Sequence, residues 1–86
     1  DNPAMPTSVL MQQRQWREDL DEATRLEDLE RMADEVSAAR RAMLQDLQTT
    51  ADVHHDWPAL AQHVRALMFV ERFASDVENR IDLLGQ

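Results

Sequence analysis

The 86 residues include no cysteine, no lysine and no tyrosine, and only one glycine and three prolines. Without cysteine there are no disulfides, no thiolate metal sites and no thiol nucleophile, which is compatible with a reducing compartment. So few glycines and prolines leave a sheet protein short of the turn signal it needs every ~8–12 residues. No apolar run approaches the ~18 residues of a membrane helix and no signal-peptide pattern opens the chain, so the expectation is a soluble, cytoplasmic protein. Every positive charge is an arginine, and the net charge is −8. An acidic surface repels phosphate, which makes nucleic acid and anionic membranes poor partners and basic patches on other proteins better ones.

The length allows one domain with one modest core. Residues 1–7 (DNPAMPT), with two prolines, read as a linker or lead-in, and 8–86 as the domain. Thr7 or Ser8 caps a first helix running to about Ala23, whose core stripe is Val9, Gln13, Trp16, Leu20 and Ala23. Thr24-Arg25-Leu26-Glu27 fits a capping box for a second helix. That helix carries Leu26, Leu29, Met32, Ala33, Val36, Ala39, Met43, Leu44 and Leu47 at heptad-like spacing. Thr49 to His55 forms the next connection, and Asp56 caps a third helix with Pro58 in its first turn. Its stripe begins at Leu60, Val64, Leu67 and Met68 and drifts to Val70, Ala74, Val77, Ile81 and Leu84 before Gly85 stops it. The expected fold is an all-α, antiparallel three-helix bundle with a long C-terminal helix.

Several residues fall off these stripes. At 100° per residue, Leu10, Met11, Arg14, Glu18, Asp21 and Glu22 centre about 170° from the Trp16 side of the first helix. Leu10 and Met11 therefore stand in solvent, with carboxylates following them. Two readings compete: a first-turn staple against the proline-bearing lead-in, and an apolar tip with an acidic tail suited to docking. Phe69 lies about 180° from Leu60, among Arg65, Arg72 and Asp76 on a solvated face, as binding aromatics do. A covering segment from outside this sequence is the other reading. Phe73 stays ambiguous between the two sides.

Val9-Leu10-Met11-Gln12-Gln13-Arg14-Gln15-Trp16-Arg17-Glu18-Asp19-Leu20-Asp21-Glu22 resembles the signature F-L-M-x-Q-[ML]-E-x-R-E-x-L-x-E. That signature opens the C-terminal domain of HscB-type J-domain co-chaperones of iron–sulfur cluster assembly. Trp57 to Phe73 (WPALAQHVRALMFVERF) resembles that family's W-x-x-A-x-x-x-V-R-K-L-x-F-L-x-K-L, and the likeness covers Ala4 to Leu84. The resemblance implies a domain that docks the scaffold protein IscU for delivery to an Hsp70-type chaperone, HscA. It implies scaffold contacts at Leu10, Met11, Glu18, Glu22 and Phe69. Arg14 and Gln15 depart from the pattern, which has Met or Leu and then Glu. The family's His-Pro-Asp J-domain tripeptide is also absent, as His55-Asp56 lacks the proline. These residues are thus expected to hold a scaffold without stimulating an ATPase; the proline-bearing lead-in suggests a fragment cut at the domain junction, with a free-standing domain as the alternative.

Other chemistry has weaker support. His54, His55 and His63 lack thiolate partners and read as loop and surface histidines rather than a metal site. Arg14, Arg17, Arg31, Arg40 and Arg41 raise a small carboxylate-binding mutase of the chorismate mutase kind, but they largely avoid the apolar stripes. Neither a cofactor nor an enzymatic activity is expected. The competing expectation is a structural bundle that self-associates weakly through Phe69 and the Leu10–Met11 tip.

Overall fold

In the computed structural model, which describes residues 7–85, three helices follow one another: α1 (Thr7–Glu22), α2 (Leu26–Thr49) and α3 (Trp57–Leu84). Among the described residues there is no strand, as the all-α expectation required. The expected lead-in lies outside the described residues except for Thr7, which already belongs to α1. The cap assigned to Thr7 or Ser8 falls outside the described side chains.

The chain runs up, down and up. Trp16 stacks on Phe73, Arg17 pairs with Asp76 and Arg80 donates to the Leu20 carbonyl, so α1 and α3 are parallel. α2 runs antiparallel to both and forms the main interface with α3, while α1 leans on α3 through a shorter stretch. The core is Trp16 and Leu20 from α1, Leu29, Met32 and Val36 from α2, and Val70, Phe73 and Val77 from α3. Ala66 is buried as well. Each of these sets steps by three, four or seven residues, the spacing that gives a helix one apolar side. The molecule is a slab of 46 × 25 × 14 Å, its long edge matching the 28 residues of α3 at about 1.5 Å each.

The caps divide. Asp56 accepts a hydrogen bond from the Ala59 amide at 3.1 Å with Pro58 in the first turn, as the sequence predicts. Thr24 does not cap α2. That helix starts one residue later, with Arg25 as its N-cap and no side-chain cap bond, and the Arg25 carbonyl accepts from Asp28 and Leu29. Glu27 thereby moves too close to the helix start for a capping box, and its carboxylate pairs with Arg25 instead.

Where a loop was expected from Thr49 to His55, α2 continues into a π-helical turn, Thr50–His54, with Thr50 buried. His55 then adopts a left-handed backbone (φ 51°), and that reverses the chain into α3. α3 ends at Gly85, which takes an ordinary right-handed conformation and needs no glycine freedom.

The α3 stripe also differs from expectation. Buried positions are Ala66, Val70, Phe73 and Val77, whereas Val64, Met68 and Leu84 are exposed. Measured from Phe73, Val64 points about 180° away and Met68 about 140° away, so neither can share the core. Leu60 and Leu67 are half-buried in the first half of α3, whose start follows the π-helical turn and packs on it. The apolar line at the start of α3 therefore serves a local contact and not the main core. Leu26 and Leu44 are exposed as well, at the edges of the α2 stripe.

Phe73 is fully buried, so Phe73→Ala is expected to cost about 3–5 kcal/mol in urea unfolding. Asp56→Ala removes only an exposed cap and should cost about 1 kcal/mol in the same measurement.

Candidate docking surface

α1 is fastened at its C-terminal half. The Trp16 ring lies 5.3 Å from Phe73 and nearly parallel to it, and Arg17 stands 5.2 Å from the same ring while pairing with Asp76 at 2.9 Å. Both partners of that pair are about two-fifths exposed, so its direct contribution is small, about 0–1 kcal/mol. Its role is directional, because it fixes which flank of α1 faces which flank of α3.

With the Trp16 direction as inward, Leu10 and Arg17 lie about 120° and 100° to one side. Met11, Glu18 and Glu22 lie about 140°, 160° and 120° to the other side. Leu10 and Met11 are 48% and 64% exposed, and Glu18 and Glu22 are exposed too. The four thus occupy the outward half of α1. Leu10 is on the flank nearer α3, while Met11 and Glu18 are near the crown. Glu22 is on the flank toward α2, where it lines a cleft of about 250 Å³ with Asp19, Asp28, Arg31, Met32 and Glu35. Four carboxylates share that cleft with one arginine, and Arg31 is already bonded to Asp28 at 2.9 Å.

Phe69 is not the free aromatic expected. It is half-buried, packs on the core cluster, and stacks on Phe73 at 5.9 Å between centroids. The reason is geometric: Phe69 lies four residues before Phe73, only about 40° from it, on the stripe that turns toward α1. Met68, assigned to the core stripe by sequence, is the exposed side chain, at 64%. One residue along a helix rotates a side chain by about 100°, which is enough to exchange the two roles. The signal for Met68 was present in its angle to Phe73, but it needed Phe73 to be identified as core.

Arg65, Met68, Phe69 and Arg72 line a shallow groove of about 320 Å³ on α3. Measured from Phe73 they lie on the Asp76 side, and Arg17 of α1 reaches that side. The parallel register from Trp16 to Phe73 then puts Leu10 level with the groove across the seam, two turns below the Arg17–Asp76 pair. Arg14, Arg65 and Arg72 make no ion pair among the described residues.

His54 and His55 lie in and after the π-helical turn, and His63 is half-buried on α3. Among the described residues no group of three or more His, Cys, Asp or Glu is placed to hold a metal ion. No described helix is long and apolar enough to cross a membrane. What the arrangement offers is a surface with an apolar tip and carboxylates on one side and an arginine-edged groove on the other.

Phe69→Ala is expected to cost about 1–2 kcal/mol of stability, because it removes a half-buried ring from the core edge. Met68→Ala should shift stability by less than about 0.5 kcal/mol. Thermal melts of the two variants side by side check the exchange of roles.

Comparison with known proteins gives the family. The family described as the HSCB C-terminal oligomerisation domain matches residues 5–78. A Bordetella petrii protein named co-chaperone protein HscB homolog is 47% identical over 79 residues, covering 88% of this chain and 45% of that one. Namesakes from Burkholderia multivorans and Ralstonia nicotianae are 40% and 39% identical, each covering 96% of this chain and 49% of theirs. The chain thus spans about half the length of these relatives. No solved structure matches it at a significant level. The chain belongs to the HscB C-terminal domain family.

Proposed function

We propose that this domain is the docking half of an HscB-type co-chaperone in iron–sulfur cluster assembly. Its outward α1 face holds the scaffold protein IscU for transfer to the Hsp70-type chaperone HscA. The observation that carries the reading is the adjacent pair Leu10 and Met11, exposed by 48% and 64% at the start of a helix whose attachment to the fold lies elsewhere. Adjacent exposed apolar residues followed by Glu18 and Glu22 are what a helix-face contact uses. Half-buried Phe69 contributes an edge to this surface and also shapes the seam beneath it. HscA engages through a J domain, which carries the His-Pro-Asp tripeptide missing from these residues. The domain by itself holds the scaffold and performs no catalysis.

A second reading has one observation in its favour. The matching family is described as an oligomerisation domain, and Val53 and Trp57 stand 66% and 60% exposed near the π-helical turn. On that reading two or more copies associate.

Leu10→Ala and Met11→Ala are each expected to weaken binding of apo IscU by about 1–3 kcal/mol, as hot-spot truncations do. Their melting temperatures should stay close to that of the parent. Calorimetric titration measures the first and circular dichroism the second. Unchanged affinity, or loss of fold in both variants, would sink the assignment. Sedimentation velocity across concentration decides the second reading, which requires a concentration-dependent increase in mass.

A further inference from the structure

We propose that the groove formed by Met68 and the edge of Phe69 between Arg65 and Arg72 is a second subsite. It receives a segment of the protein partner in which an apolar side chain stands beside a carboxylate. The proposal rests on the docking reading above and specifies what the α3 side of that surface recognises.

Charge is the first argument. Acidic residues outnumber arginines 17 to 9, so an arginine without a carboxylate partner is unexpected here. Arg17, Arg25, Arg31 and Arg40 each have one, and Arg80 donates to the Leu20 carbonyl. Arg14, Arg41, Arg65 and Arg72 have none among the described residues, and of these only Arg65 and Arg72 flank one groove; Glu71, adjacent to Arg72, pairs with Arg40 instead. The two lie seven residues apart, so they point in nearly the same direction about 10 Å apart along α3. A guanidinium presents a planar fork of donors that fits a carboxylate, and here two forks bracket one groove.

The groove between them is apolar at its exposed point. Met68 is 64% exposed and Phe69 half-buried, and a thioether adapts its shape to an incoming side chain. A carboxylate alone would leave Met68 and Phe69 unused, and an apolar group alone would leave both arginines unpaired. The sign of charge also divides the surface. Asp19, Glu22, Asp28 and Glu35 gather on the α2 side of α1, and Arg65 and Arg72 on the α3 side. A partner matching both halves can dock in one orientation only. A second copy of this chain is disfavoured as the occupant, since two chains of net −8 repel at long range.

The test compares the parent with Arg65→Glu/Arg72→Glu, Met68→Ala and Leu10→Ala, each first checked by circular dichroism. Calorimetric titration with apo IscU should show Kd raised tenfold or more by the double charge reversal and a few-fold by Met68→Ala. An unchanged Kd in the double variant, while Leu10→Ala still weakens binding, overturns the subsite and leaves the docking reading intact. A second arm needs no scaffold: methyl NMR of Met68 with sodium hexanoate and with 1-hexanol. The resonance should saturate at several-fold lower hexanoate than hexanol in the parent, and the difference should vanish in the double variant. Equal response to the two probes overturns the proposal. If the parent does not bind IscU, the docking reading falls and the hexanoate arm alone decides the groove. A parent dimer in sedimentation velocity that the double variant dissociates identifies a second copy as the occupant and also overturns the proposal.

Discussion

Phe73 sits where the three helices meet, fully buried, with the Trp16 ring stacked nearly parallel to it at 5.3 Å and the Phe69 ring at 5.9 Å. The Arg17 guanidinium lies 5.2 Å from its centroid and continues to Asp76. A stacked aromatic pair adds about 0.5–1.5 kcal/mol to what its burial supplies, and a cation near the ring adds a little more. These contacts converge on one side chain because α1 reaches the other two helices over a short stretch. Trp16 and Leu20 supply the apolar anchor, and Arg17 and Arg80 set rotation and height. The outward face of α1 points where it does because Phe73 holds Trp16.

The parallel arrangement of α1 and α3 has a direct effect on the surface. Stepping back seven residues from Trp16 and from Phe73 reaches Val9 and Ala66, so the starts of both contact stripes are level. The exposed Leu10 and Met11 of α1 and the exposed Met68 of α3 thus stand at about the same height, near the middle of α3. An antiparallel pair would have set them apart along the slab. The carboxylates that follow on α1 extend from this apolar patch toward the cleft with α2.

The sequence was most legible where a helix has one job. α1 turns one side to the rest of the fold, so its stripe of Val9, Gln13, Trp16, Leu20 and Ala23 could be read on a wheel, and the exposure of Leu10 and Met11 came with it. α3 has several jobs. Its start packs on the π-helical turn, its middle carries the core residues Val70 and Phe73, and Phe69 packs at the edge of that core. Three overlapping stripes in one helix defeat a single direction of reading, so Met68 and Phe69 exchanged places. The π-helical turn and the Arg25 cap were illegible for another reason. A turn of that kind has no composition signature, and Thr24 offered a sound capping pattern that lost to a helix start one residue later.

On the proposed docking reading, the short attachment of α1 makes docking a matter of population. Elements with few buried contacts open locally at lower free energy than the body of the fold. Leu10, Met11 and the arginine-edged groove form one surface only while α1 is closed against α3. Apparent affinity therefore scales with the closed fraction, even when the contacts themselves are unchanged. A substitution at Trp16, which is buried and touches no partner, acts on binding by altering that fraction. In turn a partner gripping both helices holds α1 shut and raises the stability of the whole domain. On that reading the stacked rings beneath the surface serve as its affinity control.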